Sequence, residues 1–356
     1  MVEPQPSKLM TWVRFPLPAP NYNNLRTKQF VGCFFIKMKG ENSISIKYTI
    51  KINMEIKEIT INSNQDNLPI SIAMIIPDAE VKGILQISHG MAEHKERYYD
   101  FMKYLASNGY ITIINDHRGH GKSIKTNEDL GFFYDDNAEF IVEDLHQITN
   151  YIKNKYPGKN IILLGHSMGS LVVRKYIKKY DADIHKLIVC GSPSNNPFTN
   201  IAIFITNVLE KIKGNKYRSK FIQNLAFGSY NKNLENVNSI NSWICANEET
   251  VKKYDKDSLC GFIFTLNGFK NLFKLVRDVY SKKDWKKNNK KLPIFFIAGE
   301  KDPVIINKKE WIKSQKFLKK LGYENIEGKL YPNLRHEILN EEENIKIYED
   351  ILNFII

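Results

Sequence analysis

Ser167 stands in the stretch Gly165-His166-Ser167-Met168-Gly169, whose residue types suit nucleophilic chemistry. The run Ile161-Ile162-Leu163-Leu164 before it reads as a buried strand, and a helical pattern follows at once. Strand, sharp turn and helix put a hydroxyl at an apex. A serine is a poor nucleophile at neutral pH, so it needs a neighbouring base and a site for the negative charge it creates. The turn contributes to both: it holds the side chain clear of the backbone and aims the next amide, that of Met168, into the same space. Gly165 and Gly169 suit positions where a β-carbon would crowd the turn or the helix–strand packing.

The remaining groups should follow other strands, because open α/β sheets build their sites at the carboxyl ends of the strands. Asp302 follows Phe296-Ile297-Ala298-Gly299 through a tight loop, and His336 follows Leu330-Tyr331 through another. The order Ser167, Asp302, His336 is that of a nucleophile, an acid and a histidine on such a sheet. His336 would take the serine proton and return it to the leaving group, and Asp302 would orient the imidazole. Glu300 is a nearby rival for the acid. The oxyanion of the intermediate needs fixed donors. We assign them to the Met168 amide and to the Met91 amide, in the loop His89-Gly90-Met91-Ala92-Glu93-His94.

Gly121-Lys122-Ser123 suggests a phosphate loop, but Asp116 occupies the place of the required glycine. Asp116, His117 and His120 lack a second ligand cluster at metal spacing. The stretch Asn115–Ser123 reads as a structural turn that braces the oxyanion loop. No metal or cofactor is implied.

The elements that must position these groups alternate. Strands are expected at 55–62, 70–76, 83–88, 110–115, 161–164, 186–190, 293–299 and 328–331. Helices are expected at 97–108, 138–155, 168–180 and 311–321, with a last one from Glu341. This alternation implies an α/β fold with a mostly parallel sheet covered on both faces. It stops at Ser192-Pro193. Residues 197–290 read as a helical, aromatic-rich cap, so 54–196 and 291–356 form the core. The lysine cluster 282–291 reads as a solvated hinge face.

The chain has 356 residues, 42% of them apolar, which is ample for a core. Cys33, Cys190, Cys245 and Cys260 show no CxxC spacing and read as reduced thiols of a cytosolic protein. The net charge is +13, of which residues 1–53 contribute +6. The lysines are scattered among Ile and Asn, with no arginine stripe interleaved with aromatics, so nucleic acid is not expected as a partner. Attraction to anionic membrane surfaces stays open. Residues 1–53 carry five early prolines and differ in character from the rest. Residues 1–53 are expected to be an atypical extension that is either disordered or a miscalled start; Trp12-Val13-Arg14-Phe15-Pro16 resembles one reading frame of a transfer-RNA gene, which points to Met54 as the true start.

Five motifs in order resemble the monoacylglycerol lipase and lysophospholipase branch of the α/β-hydrolase superfamily, also grouped as serine aminopeptidase-like hydrolases. They are His89-Gly90-Met91-Ala92-Glu93-His94, Asp116 to Ser123, Gly165 to Gly169, Gly299-Glu300-Lys301-Asp302-Pro303 and Arg335-His336-Glu337-Ile338. Asn241 to Glu249 and Asp257 to Phe262 resemble the caps of bacterial members. The resemblance implies hydrolysis of a single-acyl lipid ester under a mobile cap. The expectation is a cytosolic serine esterase that touches membranes transiently. One rival is an aminopeptidase of the same fold, with Glu248 and Glu249 holding the substrate amine. The other is a non-catalytic ligand-binding relative.

Overall fold

The computed structural model describes residues 54–356 apart from Asn236. The expectations about residues 1–53 lie outside the described residues. Eight strands are present among those described: β1 (Ile56–Asn62), β2 (Pro69–Ile75), β3 (Gly83–Ser88), β4 (Tyr110–Asn115), β5 (Ile161–His166), β6 (Lys186–Cys190), β7 (Ile294–Gly299) and β8 (Ile326–Tyr331). They form one sheet in the order β1-β2-β4-β3-β5-β6-β7-β8. β1 pairs antiparallel with β2, and β2 antiparallel with β4; every later pairing is parallel.

The alternation in Ile56–Asn62 makes β1 an edge strand with one half-buried face, whereas β3, β4, β5 and β7 are buried along their whole length. A parallel strand covered on both faces reads as a continuous apolar run for that reason. The helices that cover the sheet are α1 (Tyr99–Ser107), α2 (Phe140–Lys155) and α3 (Met168–Tyr180). Between β6 and β7 come α4 (Thr199–Lys213), α5 (Lys220–Phe227), α6 (Glu248–Lys256) and α7 (Leu266–Val279). α8 (Lys308–Leu321) and α9 (Asn344–Ile355) follow. Phe101 and Leu105 of α1 and Ile347 and Ile351 of α9 pack on Leu85, Leu164 and Ile297. On the other face, Leu145 of α2, Leu171 of α3 and Leu318 of α8 pack on Leu163, Leu187 and Phe296.

Three helices, α1, α2 and α9, start later than their periodicity suggests, and side-chain anchoring explains the first and the last. Residues Lys95–Tyr98 form a 3-10 turn before α1, because Lys95 is tied to Asp116 through its backbone N–H and its ammonium, each at 2.8 Å. Glu341 stays outside α9 because its carboxylate accepts the backbone N–H groups of Ala246 and Arg335, at 2.9 and 3.0 Å. Among the described residues, no helix is long and apolar enough to cross a membrane.

Candidate active site

Ser167 joins β5 to α3 with φ 53° and ψ −118°, a conformation that costs a non-glycine residue about 1–3 kcal/mol and persists only where its surroundings enforce it. The Ser167 N–H donates to the Cys190 carbonyl of β6 at 2.9 Å. A Cβ on Gly169 would collide with the carbonyl oxygens of Ser88 and His89. The missing side chain therefore lets the start of α3 close onto the end of β3, beside the loop that carries Met91. Neither the Met168 nor the Met91 amide has an acceptor among the described residues.

After β7, Asp302 caps a 3-10 turn, its Oδ1 accepting the Val304 N–H at 2.8 Å. Its Oδ2 faces His336 Nδ1 at 3.0 Å, and both side chains are buried. The imidazole lies between the rings of His166 and Trp243, with centroids 4.7 and 5.1 Å away. Gly191, at φ 53°, passes close to the same ring, and a Cβ there would sit 3.1 Å from it. Glu300 is exposed, and its backbone N–H holds the Tyr331 carbonyl. Of the two acids considered from the sequence, Asp302 is the one against the histidine.

Ser167, His336, Asp302, Met91 and Met168 all line one cavity of about 1140 Å³. Phe198, Ile205, Leu225, Phe227, Leu272 and Val276, from α4, α5 and α7 and the segment before α4, give it an apolar wall. Glu248 and Glu249 do not line it. Glu249 pairs with Lys252 at 2.7 Å and Glu248 accepts from Asn238 at 2.9 Å, both on the surface.

The turn at Asn115–Ser123 braces this site as expected. Asp116 also takes the Lys122 N–H at 2.9 Å, and the His117 N–H donates to His89 Nε2 at 2.9 Å. His89 is thus the tautomer whose Nδ1–H donates to the Gly90 carbonyl at 2.8 Å. Burial lowers the pKa of His89 and His117, and takes His120 down to about 3, so all three are neutral.

A second buried network was not evident from the sequence. Glu93 Oε1 accepts the Gly90 N–H at 2.5 Å and the Tyr98 hydroxyl at 2.9 Å, and lies 3.3 Å from His166 Nδ1. Arg97 donates to Glu93 Oε2 at 2.7 Å and takes Glu337 in two bonds, at 2.7 and 2.6 Å. Burial opposes ionisation of Glu93, but the His166 hydrogen bond and the Arg97 charge outweigh it and hold the carboxyl well below its usual range. Burial likewise opposes protonation of His166, and Glu93 outweighs it, so the imidazole is raised. These pairs tie the Met91 loop, the Ser167 turn and the His336 loop into one rigid body. Glu93 and Arg97 stand four residues apart, whereas Glu337 is 240 residues from Arg97.

Comparison with known proteins gives the family and the fold. A family model described as serine aminopeptidase, S33, matches residues 79–343. The chain is 25% identical over 287 residues to a monoacylglycerol lipase of Mycolicibacterium smegmatis, spanning 79% of this chain and 90% of that one. It is 24% identical over 286 residues to a probable lysophospholipase L2 of Haemophilus influenzae, spanning 77% and 83%. A thermostable carboxyl esterase of Bacillus coagulans, solved with glycerol, superposes with a TM-score of 0.78 at 24% identity, over 85% of this chain and 98% of that chain.

Proposed function

The chain belongs to the serine aminopeptidase S33 family, and from that premise we propose that it cleaves carboxylic esters of single-acyl lipids, monoacylglycerols or lysophospholipids, through an acyl-enzyme. Ser167 attacks the ester carbonyl as His336 takes its proton. The Met91 and Met168 amides hold the oxyanion, each such donor being worth roughly two to three orders of magnitude in rate. His336 then protonates the departing alcohol, and a water repeats the sequence to release the fatty acid. Asp302 keeps Nδ1 protonated and Nε2 free for the serine.

The observation that carries the reading is the convergence of Ser167, the His336–Asp302 pair and two unpartnered amides on a cavity walled by apolar side chains. Such a wall suits an acyl chain, since each buried methylene contributes about 0.8 kcal/mol. Relatives named monoacylglycerol lipase and probable lysophospholipase support the substrate class. The aminopeptidase alternative has lost its acidic pair, because Glu248 and Glu249 lie away from the cavity.

In this reading residues 197–290 act as the cap over a core of 54–196 and 291–356. The outer face of α4 supports transient contact with an anionic membrane. Ile201, Phe204, Val208 and Ile212 are exposed at helical spacing, and the exposed Lys211 and Lys213 lie beside them. An apolar face flanked by cations fits an anionic interface.

A panel of p-nitrophenyl esters, monoacylglycerols, lysophospholipids and aminoacyl arylamides, run with Ser167→Ala, tests the proposal. Ester and lipid hydrolysis lost in the variant is the expected result. Activity persisting in Ser167→Ala, or confined to arylamides, overturns it.

A further inference from the structure

We infer that His94, Asp257 and Cys260 form a binding site for a zinc-type divalent cation, linking the loop that carries Met91 to the connection between α6 and α7. The inference stands apart from the esterase reading, since it concerns binding at residues outside the triad. A ring nitrogen of His94, a carboxylate oxygen of Asp257 and the Sγ of Cys260 lie within 4.8 Å of one another. His94 and Cys260 are buried, and the Asp257 side chain is 34% exposed, which leaves a way in for an ion.

Most of the bonds that hold the trio in place leave its donor atoms free; the exception is the His94 Nε2–Asp257 Oδ2 contact at 2.8 Å, which a bound ion would replace. The Cys260 N–H returns to the Asp257 carbonyl at 3.0 Å, so a tight turn presents both side chains together. Asp257 Oδ1 accepts the Leu259 N–H at 2.9 Å, which leaves Oδ2 aimed at His94 Nε2, 2.8 Å away. The Gly261 N–H and the Tyr254 hydroxyl both anchor to the Ala92 carbonyl at 2.9 Å, fixing the turn to the loop that bears His94.

The donor chemistry selects the ion. Thiolate, imidazole and carboxylate together suit zinc and its neighbours rather than magnesium or calcium. Three protein ligands leave a fourth position for water. Ligand atoms of a tetrahedral zinc site stand roughly 3.3–3.8 Å apart, given bonds of about 2.0–2.3 Å. Binding would open the His94–Asp257 pair from 2.8 Å and close the widest pair, now within 4.8 Å, by about 1 Å.

On binding, the Cys260 S–H bond breaks, an S–metal bond forms, and the proton leaves to solvent. The sequence shows no such site because 163 residues separate His94 from Asp257.

The full-length protein, stripped with chelator, is titrated with Co²⁺ and then with Zn²⁺. One equivalent of Co²⁺ should give the intense near-ultraviolet band of thiolate ligation, which Zn²⁺ displaces. In competition with a chromophoric chelator, Cys260→Ser should bind Zn²⁺ at least tenfold more weakly and lose the band. Asp257→Asn should weaken binding without losing the thiolate band at saturating Co²⁺, whereas Cys33→Ser should match the wild type. Zn²⁺ should raise the melting temperature of the wild type and leave that of Cys260→Ser unmoved. A missing thiolate band, or one that persists in Cys260→Ser, overturns the inference. Zn²⁺ affinity equal in wild type and Cys260→Ser overturns it too and places the ion elsewhere, whatever the esterase assays show.

Discussion

Arg97 is the cation between two buried carboxylates, and Arg97→Met removes its charge while keeping an apolar stem. The side chains of Arg97, Glu93 and Glu337 are 11%, 3% and 5% exposed. Breaking one partner out of a buried pair costs about 3–5 kcal/mol. The structure says which carboxylate suffers. Glu93 keeps the Gly90 N–H, the Tyr98 hydroxyl and His166. Glu337 keeps only the Asn340 side-chain amide, at 3.1 Å. A stranded carboxylate can escape by taking a proton. For an ordinary glutamate that costs about 3.7 kcal/mol at pH 7 and about 1.6 at pH 5.5, at 1.36 kcal/mol per pH unit. The loss of stability should therefore be about 3–4 kcal/mol at pH 7 and roughly half that at pH 5.5. Urea unfolding of wild type and variant at both pH values measures it. The double variant Arg97→Met/Glu337→Gln should recover most of the loss, because the glutamine carries no charge to strand. A loss below about 1 kcal/mol at pH 7, a loss independent of pH, or no recovery in the double variant would refute the reasoning.

Three further outcomes are expected. Asp302→Asn should lower ester turnover by about 10⁴-fold, because an amide NH₂ opposite Nδ1 selects the wrong imidazole tautomer, while Glu300→Gln stays within a few-fold; the reverse pattern in steady-state kinetics would reassign the acid. Stability should peak near pH 6.5. Below it the unfolded chain protonates His89, His117 and His120 while the native state, with these three lowered by burial, does not; three protons make a slope of up to about 4 kcal/mol per pH unit. Above it the raised His166 loses its proton and its share of stability; urea midpoints from pH 5 to 8 trace both limbs, and a flat profile would contradict the neutral buried cluster. Phe204→Glu/Val208→Glu should leave hydrolysis of a soluble short-chain ester within twofold and lower binding to anionic vesicles at least tenfold in a flotation assay; unchanged flotation would remove α4 from the membrane contact.

The sequence by itself determined the sheet and the place of Ser167. Buried parallel strands are short apolar runs, and the glycines at 165 and 169 mark where a helix must close on a strand, so both are written in neighbouring residues. It also put Asp302 and His336 at strand ends, because parallel strands joined by right-handed crossovers deliver their following loops to one edge. Tertiary structure decided what local pattern does not encode. Glu300 and Asp302 are two residues apart, and only the docking of the His336 loop shows which carboxylate meets the imidazole. The same docking pairs Arg97 with Glu337 and gathers His94, Asp257 and Cys260. It also holds Glu341 out of the helix expected to begin there, and ties down Lys95 at the start of the 3-10 turn that takes Arg97 and Tyr98 out of α1. Periodicity reports the face an element buries, whereas a buried charge is satisfied by whichever partner the finished fold brings within about 3 Å. The turn at Ser167 is therefore legible in five consecutive residues, and the network that holds it rigid is not.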